Sequence, residues 1–430
     1  MRNSELWKWR PTEELSAMAG AASFFLSIKE AKVILDSPMW CSSITELRLR
    51  GAGISCDRLY SLFIEDEDLI FGCKKKLLQA LCEAAVNTED RIVCVAVNCG
   101  PALVGDDIEG ICSSEIGSVP VAVADAGGFT GEFDDGYAKA LMAVLKLIKY
   151  RPGQTAKHTV NILGFSPVER HAAGLLQELV RILAICGIKV NLVIGEMGQS
   201  VDALPDIGRA EYNIVLNKTR ALEAAEWLKQ ALGQPFVCAG VPYGVQGCRE
   251  WIDNIASLMG IRVPEQVETE LKELQKEIFK SKIQHFRQGI NIERCILSGS
   301  PDRILPIAKA VREEWKKIPV YVNIYDREEA HGFYHWDFQV KLPKLKKGEL
   351  QIVIGTEMDR IILGEFEKTI FVSTDDITDT LRTAKETFAG IRGWAVFMEK
   401  IFSQYRQLTL IFSSGNASSA TGTVPESQTG

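Results

Sequence analysis

Several signals that would assign a chain to a particular class are missing from this sequence. No apolar run reaches the roughly 18 residues of a membrane-spanning helix, and residues 1–15, MRNSELWKWRPTEEL, lack the apolar centre of a signal peptide. The net charge of −7 and the pI of about 5.5 indicate no basic surface for nucleic acid or anionic membranes. We therefore expect a cytoplasmic protein that binds neither nucleic acid nor membrane.

Nucleotide and zinc motifs are missing as well. No Walker-type lysine motif is present, so ATP hydrolysis is not expected on this chain. The stretch LSGSPDR at 297–303 lacks Gly-x-Gly-x-x-Gly, and we interpret it as a plain strand-to-helix turn. The pairs Cys94/Cys99 and Cys238/Cys248 do not have the Cys-x-x-Cys spacing of zinc ribbons, so the sequence does not favour zinc.

Cysteine itself is abundant, with 11 residues in 430. An odd number in a reducing compartment argues against a framework of disulfides. We expect most of these cysteines to be small buried side chains. A minority remain as candidate metal ligands.

Short apolar runs rich in β-branched residues alternate with helical patterns along most of the chain. Continuous apolar strands between helices are typical of parallel sheets that are covered on both faces. The predicted fold class is therefore α/β, with doubly wound, Rossmann-like units. The predicted strands include residues 31–36, 91–97, 118–125, 158–165, 188–195, 212–217, 294–300, 319–326 and 350–356.

The pattern of strands and helices restarts twice. A linker-like stretch at 150–159 precedes the first restart, and a long charged helix at 264–289 precedes the second. A chain of this length also exceeds what one hydrophobic core usually supports. We predict three α/β units, a C-terminal helical segment and a disordered tail of low hydrophobicity, at residues 1–155, 156–290, 291–375, 376–412 and 413–430.

Two cysteines lie just beyond predicted strands of the first unit. Cys99 follows the strand at 91–97, and Cys41 comes a few residues after the strand at 31–36. Ligands gather at the carboxyl ends of the strands in such sheets. If the two strands are neighbours, both thiols point into one crevice. The nearby Asp106 and Asp107 either cap a helix that begins near Ile108 or take part directly in the chemistry.

The ordered set of motifs resembles the nitrogenase component 1 family, which includes dinitrogenase subunits, cofactor-assembly scaffolds and nitrogenase-like reductases of tetrapyrrole synthesis. VNCGPALVGDDIEGI is similar to the family's Thr-Cys-x-x-x-(Leu/Ile)-Ile-Gly-Asp-Asp, and ADAGGFTGEFDDGYAKAL to its Pro-Gly-Phe-x-Gly turn and following helix. The similarity covers nearly the whole chain in the right order. Further matching segments lie at 16–41, 65–81, 159–167, 210–217 and 390–401.

The resemblance implies an iron–sulfur cluster, 4Fe–4S or larger, held between subunits. The family's first-unit ligand positions hold Ser16, Cys41 and Cys99 here. Two thiolates remain, and a serine hydroxyl is a poor ligand for such clusters unless it is deprotonated. A partner subunit supplies further ligands in the family. Nearby cysteines that could compensate, although packing is the more common role for each, are Cys56, Cys73, Cys94 and Cys112.

The resemblance also implies what this chain does not hold. The dinitrogenase cofactor hangs from one cysteine and one histidine, and Asn217 and Ala389 stand at those positions. We therefore expect no molybdenum–iron cofactor on this chain. The expected function is that of one subunit of a nitrogenase-like, two-component reductase. Its partners would be a homologous component 1 subunit, in a heterodimer or heterotetramer, and an ATP-dependent iron–sulfur protein that delivers low-potential electrons.

Two other functions stay open at this stage. The chain could be a scaffold on which a metal cluster or cofactor is assembled and handed on. It could also be an α/β ligand-binding protein that has lost its cluster, a reading that Ser16 permits and that the two motif cysteines disfavour.

Overall fold

Three separate parallel sheets organise the chain in the computed structural model. It describes residues 16–86, 91–105, 107–113, 119–151, 153, 155–286, 291–324, 333–335, 342–374 and 386–418. Helices flank each sheet, and every strand pairing among the named strands is parallel. The predicted α/β class with Rossmann-like units is confirmed. Among the helices of the described residues, none combines the length and the apolar character needed to cross a bilayer.

The first sheet has the strand order β2-β1-β3-β4. All six residues of β3 are buried, as expected for a strand covered on both faces. The elements of this unit are α1 (Ala17–Ser27), β1 (Ala31–Asp36), α2 (Met39–Gly51), β2 (Leu59–Ser61), α3 (Asp66–Phe71), α4 (Lys74–Val86), β3 (Ile92–Val97), α5 (Cys99–Val104), α6 (Ile108–Ser113), β4 (Val121–Asp125) and α7 (Phe133–Leu147).

The second sheet has the order β6-β5-β7-β8. Its buried Asn161 and Asn213 hydrogen-bond to each other across β5 and β7, at 2.9 Å. The elements are β5 (Ala156–Leu163), α8 (Ala172–Ile185), β6 (Lys189–Val193), a 3₁₀ turn (Leu204–Arg209), β7 (Ala210–Val215), α9 (Lys218–Leu232), β8 (Phe236–Cys238), α10 (Gly244–Leu258) and α11 (Glu265–Phe286).

The third sheet has the order β11-β10-β9-β12-β13. The stretch at 297–303 forms the turn between β9 and the following helix, as predicted. The elements are β9 (Asn291–Ser298), α12 (Pro301–Glu314), β10 (Val320–Asn323), β11 (Tyr334–His335), β12 (Glu349–Gly355), α13 (Glu357–Leu363), a 3₁₀ turn (Phe366–Lys368), β13 (Thr369–Ser373) and α14 (Gly390–Ser418).

Each sheet draws its strands from one of the three predicted units, although the unit boundaries themselves stay predictions. The last helix differs from expectation, since α14 continues to Ser418 while the predicted tail begins at 413. Extending an existing helix is far easier than starting one, so a helix can continue into a polar segment. Residues 419–430 of the predicted tail lie outside the described residues.

Two hydrophobic cores contain residues from more than one unit. One joins α1 and α7 of the first unit to α9 of the second, and Tyr137 links these units by donating a hydrogen bond to the Phe165 carbonyl at 2.6 Å. The other core spans the second and third units and includes Trp394 and Phe397 of α14. Glu178 of α8 holds the start of α14 by accepting the Arg392 N–H at 3.0 Å. The second and third units therefore share their main core.

Candidate functional site

The carboxyl ends of β1 and β3 lie side by side, because these strands are adjacent and parallel from Ala31–Ile92 to Asp36–Val97. Cys41 is the third residue of α2, which follows β1, and Cys99 is the first residue of α5, which follows β3. A Cβ placed on Gly100 would lie 3.9 Å from the Pro38 Cγ, so the segments after the two strands touch. We call this end of the first sheet the cysteine edge.

The Cys99 sulfur has a polar neighbour. Its Sγ accepts a hydrogen bond from the Gly128 N–H at 2.9 Å. Gly128 belongs to a β-turn, Gly127–Thr130, that follows β4 and is closed by the Thr130 N–H donating to the Gly127 carbonyl at 3.0 Å. We call Gly127–Thr130 the glycine turn. Cys99 is half-buried and Cys41 is exposed, so both thiols are open to a ligand or a partner.

Ser16 reaches the same region through the chain that follows the glycine turn. Its backbone pairs with Glu132 in an antiparallel bridge. Its hydroxyl caps α1 by accepting the Ala19 N–H at 3.3 Å. The serine therefore has a structural role at the start of this buried helix, and one oxygen lone pair is already used there.

The four alternative cysteines are buried. Burial raises the pKa of Cys56 to about 11 and raises that of Cys94 strongly, which disfavours the thiolate form that metals require. Within the described parts of the chain, no group of three or more His, Cys, Asp or Glu side chains is placed to hold a metal ion. The cysteine edge thus presents two thiols, Cys41 and Cys99, and the other buried cysteines are Cys73, Cys112, Cys186, Cys248 and Cys295.

Asp107 caps α6. Its Oδ1 accepts the Gly110 N–H at 2.9 Å, and its carbonyl accepts the Ile111 N–H at 2.8 Å. The capping alternative raised by the sequence is thus favoured over direct chemistry. Asp106 lies outside the described residues.

Several exposed apolar side chains, which the sequence did not single out, lie on the elements that carry or adjoin the two thiols. Exposed fractions reach 73% for Trp40, 85% for Phe71 and 79% for Phe129. Groups of large exposed apolar side chains mark interaction sites. We call this group the apolar face, formed by Met39, Trp40, Ile70, Phe71, Leu103 and Phe129. Its members lie on α2, α3, α5 and the glycine turn, so only the fold brings them together.

A buried ion-pair network lies around Asn217. Asn217 caps α9 and donates from Nδ2 to Asp134 at 3.0 Å. Arg220 pairs with Asp134 and Glu169, each at 2.6 Å. Burial alone would lower the pKa of Arg220, but these two carboxylates raise it above its usual value. The guanidinium is therefore a permanent cation at this place in the second unit.

Asn217 and Ala389 line two adjoining cavities between the second and third units. Asn217 lines a cavity of about 30 Å³, and Ala389 lines one of about 50 Å³. Spaces of this size hold a few water molecules. His171 lines the second cavity, where burial and the charges of Arg170 and Lys400 lower its pKa to about 4. Its ring is therefore neutral at neutral pH, and it packs against Phe388.

The family model described as "Nitrogenase component 1 type Oxidoreductase" matches residues 16–405. The chain belongs to this family. The resemblance seen in the sequence is therefore confirmed, and the chain is a nitrogenase-like oxidoreductase family member.

Single proteins of the nitrogenase component 1 family share only about a quarter of the aligned residues with this chain. The chain is 26% identical over 296 residues to a subunit of the light-independent protochlorophyllide reductase of Cereibacter sphaeroides, covering 66% of this chain and 55% of that protein. It is 25% identical over 319 residues to "Nitrogenase iron-molybdenum cofactor biosynthesis protein NifE" of Methanosarcina barkeri, covering 69% and 66%. The matches therefore span about half to two thirds of the length of these relatives.

The fold of the nitrogenase component 1 family is also found by structural comparison. The solved structure of "Nitrogenase Cp1 at pH 6.5" matches with a TM-score of 0.72 at 15% identity, covering 98% of this chain and 96% of that one. At this identity the match supports the fold alone.

Proposed function

We propose that this chain is one subunit of a nitrogenase-like, two-component reductase. In this proposal it receives low-potential electrons from an ATP-dependent iron–sulfur protein through an iron–sulfur cluster at the cysteine edge. When bound, the cluster supplies one-electron transfer, while this chain supplies two thiolates and a half-buried environment. We also propose that the protein is cytoplasmic.

The observation that carries this proposal is the pairing of Cys41 and Cys99. Both lie at the carboxyl ends of adjacent strands, and Cys99 receives an N–H hydrogen bond of the kind that supports a metal-bound thiolate. Soft thiolates are the ligands that iron–sulfur clusters prefer. These two thiolates would supply about half of the ligands, because such a cluster typically takes four.

We propose that a homologous subunit supplies the other half. The apolar face lies on the elements that carry or adjoin the two thiols, so a partner that covers it would bury both the apolar side chains and the metal site. A heterodimer or heterotetramer satisfies this arrangement. In this proposal Ser16 is a third contact, with a hydroxyl that also caps α1.

We propose that no molybdenum–iron cofactor is bound in the usual way. Asn217 and Ala389 carry no thiolate and no imidazole. The Arg220 ion pairs and the small cavities support the proposal, because a large metal cluster would need more space than they provide. An anomalous-scattering map with a large cluster beside Asn217 would contradict it.

A scaffold for assembly of a metal cluster or cofactor is the second candidate. The specific observation in its favour is the similarity to three proteins named for iron–molybdenum cofactor biosynthesis, including one from Methanococcus maripaludis that is matched over 84% of this chain and 75% of its own length. A scaffold would bind its cargo without net turnover.

Anaerobic purification and turnover assays test these candidates. The reductase proposal expects iron and acid-labile sulfide in a fixed ratio to the chain, and reduction that depends on ATP and an iron protein. Iron that is passed on without turnover would favour the scaffold. Absence of iron and sulfide from the anaerobic complex would contradict both the reductase and the scaffold proposals. The remaining candidate would be a ligand-binding protein without a cluster. The genes next to this one would narrow the substrate.

A further inference from the structure

We propose that the glycine turn is a positioning device that holds the Cys99 thiolate and raises the reduction potential of the metal centre it ligates. This inference rests on the proposed function, because it assigns a role at the same edge. The segment that positions the Cys99 sulfur is formed by Gly127 and Gly128.

The turn is held in place before any metal binds. The Thr130 hydroxyl donates to the Gly127 carbonyl at 2.7 Å, in addition to the backbone hydrogen bond that closes the turn. The Gly127 N–H donates to the Asp125 Oδ1 at 3.3 Å. Asp125 ends β4, and β4 pairs with β3, which leads directly into Cys99. Donor and sulfur are thus fixed to neighbouring strands.

Glycine is needed at the first position of the turn because the turn lies against the cysteine. A Cβ on Gly127 would lie 3.2 Å from the Cys99 N, 3.3 Å from its Cα and 3.4 Å from its Sγ. These contacts are tighter than side chains normally make, so the turn would have to move away. A Cβ on Gly128 would lie 3.7 Å from the same sulfur, which is an ordinary contact.

A hydrogen bond to sulfur has a defined electronic effect. The N–H dipole stabilises negative charge on a metal-bound thiolate, and the reduced state of an iron–sulfur cluster is the more negative one. The Gly128 N–H therefore favours the reduced state and shifts the potential upwards. Cys41 is exposed and lies in the first turn of α2, away from the glycine turn in the sequence, so the Gly128 N–H acts on only one of the two thiolates.

The two glycines provide a matched pair of variants. We expect Gly127→Ala to displace the turn, lengthen the hydrogen bond and shift the reduction potential of the anaerobic, cluster-loaded complex to a more negative value. Gly128→Ala keeps both the N–H and the turn, so its potential should equal that of the wild type. A redox titration followed by electron paramagnetic resonance measures the shift, with iron content as a check. Equal potentials in all three proteins would overturn the inference.

A second measurement needs no metal. In the full-length apo-protein, hydrogen–deuterium exchange of the Gly128 amide should accelerate in Cys99→Ala, because its acceptor is lost. Exchange should be unchanged in Cys82→Ala, which removes an exposed cysteine on α4. Unchanged exchange in Cys99→Ala would also overturn the inference. Wild-type protein that takes up no iron or sulfide would refute the proposed function and the tuning together, whereas iron uptake with unshifted potentials would refute only the tuning.

Discussion

Among single residues, Cys99 differs from the buried cysteines by its accessibility, and its sulfur accepts the Gly128 N–H. If it ligates a cluster, Cys99→Ala should lower the iron content of the anaerobic protein and bleach its visible absorption. Cys82→Ala removes an exposed thiol on α4 and serves as the control. A Cys99→Ala protein with full iron and an unchanged spectrum would contradict this prediction.

Arg220 provides a prediction about stability. Replacing it by alanine leaves the carboxylates of Asp134 and Glu169 without their buried partner. Breaking a buried ion pair from one side typically costs about 3–5 kcal/mol, so Arg220→Ala should clearly lower the midpoint of urea unfolding. Arg50→Ala removes an exposed pair with Glu46 and should leave the midpoint almost unchanged. Similar midpoints for the two variants would show that the network contributes little.

The sequence allowed some of these residues to be predicted and not others. Cys41 and Cys99 could be found because they follow recognisable strands. The cap formed by Asp107 could be anticipated because it is local. The bond between Cys99 and Gly128 spans 29 positions, and the one between Arg220 and Asp134 spans 86. Pairs this far apart are decided by the packing of whole elements, which no local pattern encodes.

Among the elements, α1 and α7 approach each other unusually closely. A Cβ on Gly136 would lie 1.8 Å from the Ala17 carbonyl oxygen, and one on Gly20 would lie 1.9 Å from that of Phe133. Gly136→Ala should therefore force the helices apart, at a cost of about 1–3 kcal/mol or more. Gly247 of α10 has open space around its Cβ position, and Gly247→Ala should instead stabilise the fold by about 0.5–1 kcal/mol. Thermal unfolding of both variants checks the opposite signs.

Long elements were easier to predict than short ones. Strand β1 was predicted with the bounds that it has, because its apolar centre, Val33–Leu35, stands in a short run between Glu30 and Ser37. Strands β2, β8 and β11 contain two or three residues and give no periodicity to detect. The apolar face escaped prediction for a related reason, since its exposed residues lie on α2, α3, α5 and a turn, which are far apart in the sequence.

At the scale of the whole molecule, the exposed apolar face indicates that this chain associates with another subunit. We expect the anaerobic, cluster-loaded protein to be an oligomer in light scattering, because a metal site shared between chains stabilises only the assembled state. The double variant Trp40→Glu/Phe71→Glu places charge on the apolar face and should yield monomers with little iron. Phe279→Glu alters an exposed apolar residue of α11 and should remain oligomeric. A monodisperse wild-type monomer with its cluster intact would place all ligands on this one chain.

The helix α14 has a consequence for how the protein is made. Trp394 and Phe397 complete a core shared with α8 and α10, yet α14 is synthesised only after the whole third unit. At roughly 5–20 residues per second, the nascent second unit carries an unfilled apolar groove for several seconds or longer. The later two thirds of the molecule thus reach their lasting packing together, near the end of translation.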